Sequence, residues 1–557
     1  MSAKNTKKNF LNGALILTAA LIIVKVIGFI YKIPLMNMLG GDGYGYYNDA
    51  YQVYSLLFVI STGGIPVAIA KLVSESNAVG RIHEPKKILS LSLKVFAAVG
   101  IIGTLVLIFF SKWFAEVVVK TPGSTISIIA IAPAIFFVSL GASFKGFFQG
   151  YKDMKPTAVY QVLEAASKLL GLGAVFILMS MGYRSASVLA CGAILGVTFG
   201  SMVSTTYMFI RFYFGKDPVL TDVQNPIENR KNGVIFKAML KIAIPVTLSS
   251  SIMTLTSTID MISVKQALIN SGLPVLSEAQ IDALKESGQR FVLTANSAYG
   301  AYTGCTTSLF NLPPTITQTI GISVLPFISE LFAKNQKSEA YKNMDSSMRI
   351  VSLIAAPCAI GMSFFSFPIL SLLFGSKPDE VALAAPAFSI LALGIYLVAM
   401  SYPTSLFLQA CGRVNTPLIA MGIGAVLKLV TNYVLVSQPS LRINGAPFGT
   451  LLCYGSILVI NLVMLYRTQR YKPQIISVFI KPLLSSVIAV GAAFAVYQFA
   501  LIRFLPLKLA AVAGIGIAGI LYVILIFVFK ALSRDDVALL PKGEKIASVL
   551  ERKGLIK

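Results

Sequence analysis

Charged residues are scarce in this chain, and histidine and cysteine are nearly absent. Of 557 residues only 13% are charged, with one histidine and five cysteines. A lone histidine, His83, all but excludes general-base chemistry by that side chain. Cys191, Cys305, Cys358, Cys411 and Cys453 form no CxxC or metal-spaced pattern and read as small packing residues. The chain also lacks a paired-carboxylate motif, a nucleophile elbow, a Walker loop and a His-rich metal set. An enzyme is therefore not expected, and neither catalytic residues nor a metal nor an organic cofactor are assigned. Gly40–Gly45 reads Gly-Gly-Asp-Gly-Tyr-Gly, but no strand precedes it, so a tight external turn is expected there.

What the chain has in excess is apolar sequence. It is 56% hydrophobic, with a mean hydropathy of +0.77, which no soluble domain of this length shows. The apolar runs are continuous and about 20 residues or longer, which fits helices and not barrel strands. Fourteen segments are expected: 11–36, 47–73, 88–110, 124–148, 156–181, 185–210, 240–264, 294–332, 349–374, 381–408, 415–437, 445–466, 476–501 and 505–530. The fold class is an all-α polytopic membrane protein. The eighth segment is overlong and carries Pro313 and Pro314, so it is expected to kink or to begin outside the bilayer.

Lysine and arginine are distributed unevenly along these segments. With the N-terminus placed in the cytoplasm, 32 of the 47 fall on the cytoplasmic side and 10 on the other. That is a positive-inside pattern with both termini cytoplasmic, in a bacterial cytoplasmic membrane. The net charge of +24 then reflects topology and contact with anionic lipid, and no nucleic-acid partner is expected.

Three pairs of motifs recur at an offset of 260 residues. Ile65-Pro66 matches Leu325-Pro326, Phe147-Phe148-Gln149 matches Phe407-Leu408-Gln409, and Lys168-Leu169 matches Lys428-Leu429. Spans one to six are thus read as repeated in spans seven to twelve. An even number of spans makes this a parallel repeat. The expected organisation is an N-terminal lobe (1–232), a C-terminal lobe (233–472), two extra helices (473–533) and a cytoplasmic amphipathic tail (534–557).

The charges inside the spans carry the functional reading. A lysine near the bilayer centre costs about 2.5–3.5 kcal/mol on insertion scales. Lys25 sits in the middle of the first segment and Lys32 lies two helical turns later, so both point the same way. Gly28 shares that face, and Pro34 is expected to end the helix, which makes the two a hinge. A cationic stripe in a membrane cavity suits an anionic substrate; the alternative is that the lysines snorkel or pair with carboxylates. Glu164 and Lys168, at i and i+4, read first as a self-neutralised pair; Lys168 is also a candidate for binding a diphosphate in the cavity, and Glu164 for ion coupling or as a charge partner. Lys428 has no carboxylate within four residues and is a candidate cavity residue. Asp260 is open to three readings: ion coupling, a partner for Lys25 or Lys32, or a place at the interface. Gln161, Gln318 and Asn432 are polar groups at depth that suit sugar hydroxyls or helix bridging.

Several stretches resemble the stage V sporulation protein B family of polysaccharide-export-like proteins. They are Lys25-x-x-Gly28 with Tyr31-Lys32-Ile33-Pro34, Gly64-Ile65-Pro66-Val67-Ala68-Ile69-Ala70-Lys71-Leu72-Val73, Tyr299-Gly300-x-Tyr302-Thr303-Gly304, and Leu540-Pro541-Lys542-Gly543. That superfamily includes MurJ-type lipid II flippases and multidrug-and-toxin exporters. The resemblance implies two six-helix lobes around a V-shaped cavity, with two further helices forming a groove for a polyprenyl tail. It implies flipping of an undecaprenyl-diphosphate-linked peptidoglycan precursor, lipid II, by alternating access. Lys25 matches a basic cavity position of such proteins. Tyr31 stands where a second basic residue aligns, and Ser308 or a neighbour where span eight carries one. The implied partners are a lipid-linked oligosaccharide, the bilayer and cell-wall synthesis proteins, with Na+ or H+ as candidate coupling ions. Competing readings are a flippase for another polyprenyl-linked unit, a cation-coupled drug exporter, and a non-transporting wall or spore scaffold.

Overall fold

Long apolar runs with few interior breakers give long helices, and the computed structural model is helical throughout. It describes residues 3–81, 83–215, 230–289, 291–413, 415–533 and 536; among these there is no strand. In chain order the principal helices are α1 (Ala3–Thr62), α2 (Ile65–Val79), α3 (Glu84–Phe109), α4 (Thr125–Gly150), α5 (Lys155–Ser180), α6 (Ala186–Phe214), α7 (Asn232–Asn270) and α8 (Glu278–Glu286). They continue with α9 (Ala295–Ala333), α10 (Lys337–Phe364), α11 (Ser366–Phe374), α12 (Pro378–Ala410), α13 (Asn415–Val436), α14 (Ala446–Gln469), α15 (Lys481–Val496) and α16 (Leu507–Val528). Among the described residues, 11 helical segments are long and apolar enough to cross a membrane. The first of them, Ala19–Val59, covers parts of the first two expected segments. The seventh and eighth expected segments fall on α7 and α9, of 39 residues each, outside those 11. Large apolar side chains face outward along these helices, including Phe109, Phe176, Phe214, Val426 and Ile520. An apolar exterior of this extent is suited to lipid, and the chain is a multi-pass membrane protein.

Two expectations about the first helix are corrected. Pro34 does not end it: the helix runs on, and the break comes at Gly40, with φ 67° and ψ −176°. A left-handed φ is strained for any residue with a Cβ, whereas the helix around Pro34 loses only one backbone hydrogen bond. Gly40–Gly45 is likewise not an external turn. Past Gly40 the chain is helical again, and Gly41 lies so close to Ser297 that a Cβ there would meet the Ser297 carbonyl at 2.8 Å. The glycines bring two helices together.

The chain packs as two compact units, Met1–Lys265 with Leu273–Gly300, and Gln266–Gly272 with Ala301–Lys557. Division by packing therefore differs from the lobe boundary expected at 232, because most of α7 packs with the first unit. The first unit is centred on α2, α3, α4 and the start of α7, around Ile69, Leu72, Phe144, Phe147 and Met239. In the second, α11, α15 and α16 share a core of Phe365, Val490, Tyr497 and Ala511. The amphipathic stretch expected at 545–556 lies outside the described residues.

After α4, Tyr151, Lys152 and Asp153 donate to the carbonyls of Phe147, Gln149 and Phe148; after α12, Cys411, Gly412 and Arg413 donate to those of Phe407, Gln409 and Leu408. The same C-terminal turn also closes α5, α8, α9 and α16. It needs a positive φ at its middle residue, 63° at Lys152 and 77° at Gly412.

Candidate functional site

Helix α5 is placed by the glycines of α6. Gly192, Gly196 and Gly200 recur every four residues and form a smooth stripe. A Cβ on Gly196 would meet the Gly171 nitrogen at 2.6 Å and the Lys168 carbonyl at 3.0 Å; one on Gly200 would meet the Glu164 carbonyl at 2.8 Å. The backbone carrying Glu164 and Lys168 is therefore seated directly on α6. Gly196→Val should lower stability by about 1–3 kcal/mol through overpacking. Comparing thermal unfolding of the purified variant and native protein checks this; an unchanged midpoint would show that the contact yields without cost.

The first unit brings together four of the residues that the sequence singled out. Lys25, Lys32 and Lys168 are close enough for their charges to act on one another, and Glu164 acts on Lys168. The Lys168 ammonium lies 5.7 Å from the centre of the Tyr51 ring, a cation–π contact. Tyr51 belongs to a ladder on α1, Tyr44, Tyr47, Tyr51, Tyr54 and Phe58, with successive ring centres 5.6–6.3 Å apart. Their three- and four-residue spacing keeps the rings on one helical face. Sequence reading missed this stripe, although the spacing was visible. Lys145, on α4, stacks 4.5 Å from the Tyr160 ring, and its charge couples to Glu164. The result is a group of partly exposed lysines with one carboxylate, set against tyrosines of which Tyr51 alone among those named is partly exposed and the others are buried.

Lys428 is half-buried on α13 of the second unit. Asp260 is half-buried on α7, and its carbonyl accepts from the Ser263 hydroxyl. Gly28 has open space where a Cβ would stand. Among the described residues, no three His, Cys, Asp or Glu side chains are grouped to hold a metal ion.

A second constellation was not foreseen. Lys265, assigned from sequence to an external loop, is on α7 and 3% exposed. Its ammonium lies 2.6 Å and 2.5 Å from the two carboxylate oxygens of the fully buried Asp49. It also donates to Thr121 at 2.9 Å and Asn296 at 3.0 Å, and sits 5.5 Å from the Tyr299 ring centre. Ser124 donates to Asp49 at 2.9 Å. Four segments of the first unit thus meet on one buried pair. The available signal was Asp49 itself, the only carboxylate in the expected segment 47–73.

A third contact docks the loop helix α8 onto α6. Glu278 accepts from the Ser185 hydroxyl at 2.5 Å, the Ser187 hydroxyl at 2.6 Å and the Ser187 N–H at 3.0 Å, capping the N-terminus of α6. Burial pushes the Glu278 carboxyl up, but these hydrogen bonds outweigh it and hold its pKa below the ordinary glutamate value. A depressed pKa contributes stability above the unfolded-state value, lost as pH falls through the folded one. Glu278→Gln should therefore be less stable than the native chain at pH 7, with the gap closing below about pH 4. Unfolding midpoints measured across pH check this, and a gap independent of pH would refute it.

Comparison with known proteins agrees with this fold. The model of the polysaccharide biosynthesis protein family matches residues 10–332, and the MatE family model matches 297–434. Stage V sporulation protein B of Bacillus subtilis (strain 168) is 27% identical over 541 residues, 96% of this chain and 98% of that protein. Lipid II flippase MurJ of the same organism is 24% identical over 477 residues, 84% of each chain. A solved structure of lipid II flippase MurJ in an inward closed conformation covers 92% of this chain and 98% of its own, with a TM-score of 0.67 at 14% identity. With the first of these models matching more than half of its length, the chain belongs to the polysaccharide biosynthesis protein family.

Proposed function

We propose that this chain is a flippase that carries an undecaprenyl-diphosphate-linked peptidoglycan precursor, lipid II, from the cytoplasmic to the outer leaflet by alternating access. The observation that carries this reading is the lysine patch of the first unit: Lys25, Lys32 and Lys168 grouped inside a membrane protein beside a face of tyrosines. A diphosphate crossing hydrocarbon without neutralisation would be prohibitive, and a group of ammonium ions lowers that barrier. The partly exposed Tyr51 ring offers a stacking surface to a sugar headgroup. In this reading Lys428 is a further candidate cation for the diphosphate, and Asp260 and Glu164 are charge partners or coupling carboxylates for Na+ or H+. Both termini are cytoplasmic.

The polyprenyl tail stays in the membrane. An apolar cleft of about 270 Å3 among α10, α11, α15 and α16, lined by Cys358, Phe365, Val490, Ile515 and Tyr522, supports a tail site on the two C-terminal helices. The names of the two Bacillus relatives support lipid-linked precursor transport in wall or spore synthesis. A carrier of organic cations would need carboxylates where this patch has lysines.

The test is complementation of a strain depleted of its lipid II flippase, with lipid II read by labelling at the outer face. Rescue with labelled lipid II supports the assignment. Failure, with the protein present in the membrane, overturns lipid II as the substrate. The family's polysaccharide name favours another polyprenyl-linked unit as the second reading, and rescue of a polysaccharide-flippase mutant would identify it.

A further inference from the structure

The sole tryptophan of the chain, Trp113, stands just past the end of a membrane-spanning helix. Helix α3 has 26 residues, about 39 Å, which exceeds the roughly 30 Å of hydrocarbon in a bilayer. Its last turn therefore reaches the membrane surface. On its outward side Ile102, Leu105 and Phe109 follow one another three and four residues apart, and Phe109 is 77% exposed. The helix ends there, at Phe110 with φ −99° and ψ 11°. One α-helical turn, Ser111–Trp113, and one π-helical turn, Phe114–Val118, come next. Residues 110–119 divide into three faces. Ser111, Ala115 and Val119, four apart, are buried. Phe110, Trp113 and Val117, three and four apart, are each more than half exposed. Lys112 and Glu116, four apart, are both exposed, with Nζ 3.8 Å from Oε1.

This segment is tied down. The Thr121 N–H donates to the Ala115 carbonyl at 2.6 Å, and the Thr121 and Ser124 hydroxyls meet the buried Asp49–Lys265 pair. The fold thus presents the exposed face in one fixed position. Phe110, Trp113 and Val117 continue the lipid-facing stripe of α3 without a gap, so what covers the one reaches the other. A tryptophan joins an apolar ring to an N–H donor, which suits the boundary between acyl chains and headgroups. Lys112 and Glu116 need water or headgroups, since two charges set wholly among acyl chains would be costly. A soluble protein partner would have to cover the end of a membrane span as well.

We propose that residues 110–117 are an interfacial anchor whose partner is the outer leaflet of the bilayer: Phe110, Trp113 and Val117 lie in the upper acyl chains, with Lys112 and Glu116 turned to water. The outer side follows from the lysine and arginine distribution. The anchor lies apart from the Lys25–Lys168 patch and does not depend on the flippase reading.

The experiment is fluorescence of the full chain in phosphatidylcholine vesicles, where Trp113 is the only tryptophan. Its emission should lie to the blue of tryptophan in water. Lipids brominated close to the headgroup should quench it more than lipids brominated near the chain ends. Phe110→Ser/Val117→Ser, with every charge kept, should shift the emission to the red and reduce quenching by the shallow bromines. For the side, Lys112→Cys should react in intact cells with a maleimide that cannot cross the membrane, above the level of the native chain. Quenching by soluble iodide alone would make this face a site for a soluble partner, and no quenching by either probe would make it a contact between copies; both results overturn the anchor. So would stronger quenching by the deep bromines, unchanged emission in a serine variant whose thermal midpoint is native, or labelling of Lys112→Cys only after lysis.

Discussion

Asp49→Ala destabilises the protein by about 3–5 kcal/mol, the cost of leaving one member of a buried ion pair uncompensated. The substitution strands the Lys265 ammonium, 3% exposed, with only the Thr121 hydroxyl, the Asn296 carbonyl and the Tyr299 ring around it. Lys265→Met in the Asp49→Ala background should recover most of the loss, since a buried pair replaced by apolar groups of similar size is often close to neutral. The four variants form a double-mutant cycle, read by thermal or denaturant unfolding of the purified protein. Equal destabilisation in the single and double variants would show that the residues act independently. An unaltered midpoint in Asp49→Ala would show that the buried contact has no net value.

Lys25→Ala/Lys168→Ala is expected to cost function and spare the fold. Hydrogen bonds to charged groups contribute about 1.5–3 kcal/mol each, so removing two from a bound diphosphate should slow translocation by on the order of 100-fold or more. Lys25 is exposed on its helix, and Lys168 makes a ring contact. Losing two like charges that repel each other should leave the thermal midpoint unchanged or slightly raised. Lys25→Arg should retain much of the activity and Lys25→Glu should abolish it. Outer-face labelling in the complemented strain, at matched membrane levels, reads each variant. Native activity in the double alanine variant would reduce both lysines to structural residues.

Local chemistry made much of the molecule legible in one dimension. Long apolar runs specify helices because backbone groups in lipid have no other partner. Lys25 and Lys32 stood out because seven residues make two helical turns. The misplaced features all depended on what packs alongside. Gly40–Gly45 has the composition of a turn, yet the glycines serve a close approach to Ser297, far away in the chain. Lys265 resembled a loop lysine because its partner is 216 residues distant. The Tyr51 ring that Lys168 meets comes from another helix, which the i, i+4 spacing of Glu164 and Lys168 could not show.

By itself the sequence determined the all-helical class, the membrane setting and the cationic character of the first helix, because each follows from hydropathy or residue type over one or two turns. Tertiary structure alone decided that the Tyr51 ring meets Lys168 and that Asp49 and Lys265 tie the first unit together. Those contacts join residues far apart in the chain, and which of them form is set by how closely glycine-lined helices approach one another.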